Sequence, residues 1–69
     1  MDQTFGQFIR KERENLSYTI EEVANELKVN AATIYHWEHD KKKPNKKHVR
    51  AIADLYCVSA KKLVQLLGK

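Results

Sequence analysis

Sixty-nine residues suffice for one domain and exclude a second, and a chain this short buries only about 60% of the surface its unfolded form exposes. Apolar residues make up 42% of the chain without any run near the ~20 residues of a membrane span; no leader-type segment follows Met1, and Cys57 has no cysteine partner, so a cytoplasmic protein without a membrane partner is expected. Thirteen Lys and Arg against nine Asp and Glu give a net charge of +4, a mild bias toward polyanions.

Apolar residues recur three or four apart along almost the whole chain, which predicts an all-α protein. The first helix runs from about Thr4 to Asn15 with Phe5, Phe8 and Ile9 inward; Thr4 and Gln7 have capping-box spacing, weakened by Gly6. A second capping box, Thr19-Ile20-Glu21-Glu22, opens a helix over Ile20–Leu27, with Val23, Ala24 and Leu27 inward and Tyr18 stapling onto Val23. Only Lys28, Val29 and Asn30 separate it from a third helix, Ala31 to about Glu38, which turns Ile34 and Trp37 inward and has Asn30 as its cap. After Pro44, Asn45 caps a fourth helix, Lys46–Tyr56, burying Val49, Ile52, Ala53 and Tyr56. Ser59 caps a fifth, Ala60–Leu67. Each is too short to persist alone in water, so all five must form around one core.

Charge is unevenly placed. Lys41, Lys42, Lys43, Lys46, Lys47 and Arg50 fall in one carboxylate-free stretch, whereas Glu21, Glu22, Glu26, Glu38 and Asp40 face only Lys28 over the preceding segment. A segment that gathers positive charge offers a local attractive field to a polyanion.

The tight connection between the second and third helices, with small Ala24 where they meet, describes a helix-turn-helix. Here Thr19-Ile20-Glu21-Glu22-Val23-Ala24-Asn25-Glu26-Leu27-Lys28-Val29-Asn30, then Thr33-Ile34-Tyr35-His36-Trp37-Glu38, Pro44 and Ile52-Ala53-Asp54-Leu55-Tyr56-Cys57-Val58-Ser59 together resemble the phage-repressor and Cro-type (lambda-repressor-like, XRE) family from Phe5 to Leu67. The resemblance implies a compact five-helix domain that controls transcription on double-stranded DNA. It places Asn30, Ala31, Ala32, Thr33, Tyr35 and His36 toward base edges in the major groove, with Asn30 divided between that role and helix capping. It places Thr19, Lys41, Lys42, Lys43, Asn45, Lys46 and Lys47 along the phosphates.

Several residues depart from the family pattern. Ile20 stands where a phosphate-clamping Gln is usual, Lys28 and Asp40 where Gly is usual, and Ala31 and Ala32 where long base-reading side chains are common. These departures leave open a rival reading, an antirepressor-type module that docks on a partner repressor through the same surface. Leu63, Val64, Leu66 and Leu67 give the last helix a broad apolar arc that serves the core or a weak homodimer.

Catalysis has little support. Ser17 and Ser59 stand in no nucleophile motif, adjacent Glu21 and Glu22 point in different directions, and Gly6 and Gly68 form no phosphate cradle. His36 and His39 lack further ligands for a metal site. No enzyme, cofactor, metal or small-molecule ligand is expected.

Overall fold

A computed structural model describes residues 3–68. Its helices are α1 (Phe5–Asn15), α2 (Ile20–Leu27), α3 (Ala31–Glu38), α4 (Lys46–Tyr56) and α5 (Ala60–Leu67). They match the expected ranges, save that Thr4 is the cap of α1 rather than its first residue.

Side chains set the starts of α1, α2, α4 and α5. Thr4 and Thr19 each complete a capping box, with Gln7 and Glu22 returning the bond to the cap backbone. Asn45 accepts from the His48 N–H and Ser59 from the Lys62 N–H. In every case an orphan donor of the first turn finds an oxygen.

The helix ends are set by backbone conformation instead. Ser17, Lys28, Asp40 and Cys57 follow α1 to α4 with φ of 62°, 59°, 58° and 57°. The next N–H then reaches back five residues: Tyr18 to Arg13 O at 3.1 Å, Val29 to Ala24 O at 3.0 Å, Lys41 to His36 O at 2.9 Å and Val58 to Ala53 O at 3.0 Å. This is the Schellman closure, made four times without glycine. Each L-residue in that region carries a cost of about 1 kcal/mol.

The core joins Phe5 and Ile9 of α1, Val23 and Ala24 of α2, Ile34 and Trp37 of α3, Val49, Ile52, Ala53 and Tyr56 of α4, and Leu63 of α5. Trp37 is buried, as its spacing from Ile34 predicts, with its ring centroid 5.2 Å from that of His48. The staple residues Tyr18, Val29 and Val58 pack against the core beside their helix caps.

The surface of α1 toward α3 shapes the motif. A Cβ on Gly6 would sit 2.7 Å from Glu38 C and Trp37 O, so only glycine lets the two backbones approach this closely. Gly6, read from sequence as weakening a cap, thus sets where the end of α3 rests.

Candidate nucleic-acid interface

The arrangement of α2 and α3 follows from the turn between them. Lys28 takes the left-handed conformation and Val29 tucks against the core, so α3 starts immediately after the chain reverses. Ala24 of α2 is buried in the core. Ile34, Trp37 and Glu38 then point inward, and Ala32, Tyr35 and His39 are exposed on the opposite side.

Polar groups fasten the C-terminal end of α3. Glu38 is buried and accepts from Arg13 through both oxygens, Nε to Oε2 at 2.7 Å and Nη2 to Oε1 at 3.1 Å. Arg13 also donates through Nη1 to the Tyr18 carbonyl at 2.9 Å, so one guanidinium joins α1, the loop before α2 and α3. The hydrogen bond to Glu38 raises the Arg13 pKa above its ordinary value, against the opposing effect of burial. Tyr56 lies close enough to feel the pair: burial first, and the Glu38 charge second, push its phenol well above the usual range.

Asp40 adds a second fastening. Its carboxylate accepts from Thr4 Oγ1 at 2.6 Å and from the Gly6 N–H at 2.9 Å, placing a negative charge at the start of α1. Asp40, which stands where the family pattern usually has Gly, thus has its carboxylate committed to α1.

The N-terminal end of α3 differs. Asn30 occupies the cap position, but its side chain makes no cap hydrogen bond. The expected competition between capping and base contact is therefore absent. Of the residues expected to face bases, Asn30, Ala32 and Tyr35 are exposed, Thr33 and His36 are half-buried, and Ala31 is half-buried and packs against the core. Tyr35 and His39 meet in a tilted arrangement with ring centroids 4.1 Å apart, and His36 meets Tyr35 edge-on at 6.0 Å.

The residues expected on phosphates are spread over three places. Thr19 is exposed at the start of α2, its oxygen accepting from Glu22 N–H at 3.1 Å. Lys46 and Lys47 are exposed on the first turn of α4, beside the capping Asn45. Lys41, Lys42 and Lys43 leave the C-terminal end of α3, with Pro44 buried beneath them. Lys43 Nζ donates to the Leu67 carbonyl at 3.1 Å. It and Lys42 border an apolar cleft of about 320 Å³ between the start of α1 and the end of α5.

Of the four residues read as serving the core or a weak homodimer, Leu63 is wholly buried and belongs to the core. Its place at the fourth position of α5, stapled by Val58, explains this. Leu66 and Leu67 are half-buried against the core, and Val64 remains 54% exposed.

Sequence reasoning missed the Arg13–Glu38 pair, although a signal existed. Arg13 continues the inward stripe of Phe5 and Ile9 at four-residue spacing, and Glu38 follows Ile34 by the same step. Opposite charges on two buried stripes call for each other. Among the described residues no group of three or more His, Cys, Asp or Glu is placed to hold a metal ion, and no helix is long and apolar enough to cross a membrane.

Comparison with known proteins agrees with this geometry. The family model described as helix-turn-helix domain matches residues 6–69. Among solved structures, the crystal structure of the P22 c2 repressor protein in complex with a synthetic operator is similar with a TM-score of 0.85 and 24% sequence identity, over 90% of this chain and 94% of that one. No curated protein sequence matches significantly. The fold is therefore the lambda-repressor-like five-helix arrangement, with α2 and α3 as its helix-turn-helix.

Proposed function

Because the chain belongs to the helix-turn-helix domain family, we propose that it is a non-enzymatic, cytoplasmic regulator of transcription that reads double-stranded DNA with α3. One observation carries the reading: α3 is fixed from behind by Arg13 and Gly6 while Asn30, Ala32 and Tyr35 stand exposed on its outer surface. The repressor that shares the fold was crystallised on an operator, which supports the same use of the motif here. In this reading the first turn of α3 meets base edges in the major groove and α2 begins beside the sugar-phosphate strand, with Thr19 against it. Lys41, Lys42, Lys43, Asn45, Lys46 and Lys47 supply sequence-independent attraction to phosphate. Val64, Leu66 and Leu67 join two copies weakly, so that paired half-sites can be read.

The test is an anisotropy titration of the full chain at two salt concentrations, on random duplex and on the region flanking its own gene. Binding is expected to favour that region and to weaken with salt. Replacing Lys41, Lys42 and Lys47 with Gln should flatten the log–log salt slope by roughly 2–3. An unchanged slope would remove those lysines from the phosphate contacts.

One observation favours a second reading, an antirepressor-type module for a partner repressor. No Lys or Arg lies on α3, and α2 exposes Glu21, Glu22 and Glu26. Weak, sequence-blind DNA binding together with capture of a helix-turn-helix repressor, lost on Ala32→Glu, would favour it over the first.

A further inference from the structure

We infer that α3 selects thymine through its C5-methyl group, so that A·T pairs lie under Ala32 and Thr33 in the bound duplex. The inference rests on the DNA-reading assignment above and names what that surface selects. In the major groove, guanine is picked out by Arg or Lys donating to its two acceptors, and cytosine by a carboxylate accepting from its amino group. The sequence of α3, Ala-Ala-Thr-Ile-Tyr-His-Trp-Glu, contains no Arg or Lys. Its one carboxylate, Glu38, is buried with both oxygens held by Arg13. Both strong routes to a G·C pair are therefore closed on this helix. His36 is half-buried and can address one guanine acceptor at a time, not the pair.

What remains at the start of α3 suits the one apolar group that the groove offers. Ala32 is exposed, and the half-buried Thr33 carries a methyl beside its hydroxyl. Side chains this short let the helix ride close to the base edges. A methyl pressed on a hydrogen-bonding edge would strand a polar group, whereas against a thymine methyl it buries apolar surface on both sides. Asn30 complements this choice. Its amide is not engaged as a helix cap, and an asparagine amide matches the N6 and N7 of adenine, the partner of thymine. The tilted Tyr35–His39 ring pair thickens the other half of the helix, so the first turn enters deepest.

This readout makes a chemical prediction: uracil is a poor substitute for thymine, and 5-methylcytosine is a better one than cytosine. The experiment selects duplexes from a random pool with the full chain. The enriched site is then remade with uracil, cytosine or 5-methylcytosine at one thymine at a time, and each Kd is measured. Expected are A·T pairs at the half-site core, about fourfold weaker binding for each contacted methyl removed, and partial recovery of the cytosine-substituted site on methylation. Thr33→Ser keeps the hydroxyl and should abolish uracil sensitivity at one position while preserving it at others. A core of G·C pairs, or uracil equal to thymine at every position, overturns the methyl readout alone. Failure to enrich any duplex overturns the DNA-reading assignment and this inference with it.

Discussion

At its C-terminal end α3 rests on the Gly6 backbone, carries a buried Glu38 clasped by Arg13, and runs into an Asp40 bonded to the start of α1. At its N-terminal end the cap residue Asn30 leaves its side chain unused, and the next two residues are alanines. The other four helices begin with a side-chain cap, so the difference is local to this helix. The contrast separates two tasks along one eight-residue helix. Polar groups that locate it are gathered at one end and face the protein, and the end proposed to meet base edges is left with groups that the protein does not need.

The contrast can be broken most severely at the fastened end. Arg13→Met removes one partner of a buried pair and leaves Glu38 without its counter-charge, which costs about 3–5 kcal/mol. That approaches the whole stability of a domain this small, so urea unfolding should show little or no folded baseline; a loss below ~1 kcal/mol would mean that the pair does not anchor α3. Gly6→Ala should come next. The added methyl meets the backbone of Trp37 and Glu38 rather than a side chain able to rotate away, and about 1–3 kcal/mol should be lost. DNA affinity should fall further than stability alone dictates, because the strain displaces α3 itself.

The same division explains what could be read in advance. The helices were legible because Thr4, Thr19, Asn45 and Ser59 are caps next to clear apolar stripes, and cap and stripe are both local signals. The fastenings were not, because Arg13 and Glu38 lie 25 residues apart and Gly6 and Asp40 lie 34 apart. Pairing them requires knowing that α1 crosses the end of α3. Asn30 misled for the opposite reason: its residue type at that position favours a cap bond, yet no such bond forms. At α5 the apolar arc was visible, but periodicity alone did not divide it into buried Leu63 and exposed Val64.

A finer test compares two left-handed positions, one before α3 and one after it. Lys28 and Asp40 have nearly the same φ, 59° and 58°, and glycine would relieve both backbones by about 1 kcal/mol. Lys28→Gly should therefore stabilise the protein by about that amount, roughly 4–8 °C in Tm for a domain of this size. Asp40→Gly gains the same relief but loses two charge-assisted hydrogen bonds, each worth about 1.5–3 kcal/mol, so it should destabilise. If both variants melt higher than the parent, the Asp40 bonds to Thr4 and Gly6 contribute little in solution.

The smallest effect on stability is expected at the uncapped end, where it separates the two tasks most cleanly. Thr19→Ala removes a cap that bonds the Glu22 N–H and should cost about 1 kcal/mol. Asn30→Ala stands at the equivalent position of the next helix but removes no such bond, so its unfolding midpoint should match the parent within a few tenths of a kcal/mol. If Asn30 serves the duplex instead, the same variant should bind selected DNA more weakly and discriminate less well at one A·T pair. A stability loss equal to that of Thr19→Ala would mean that Asn30 caps α3 in solution after all. Its amide would then be tied to the protein, and the two ends of α3 would no longer be built differently.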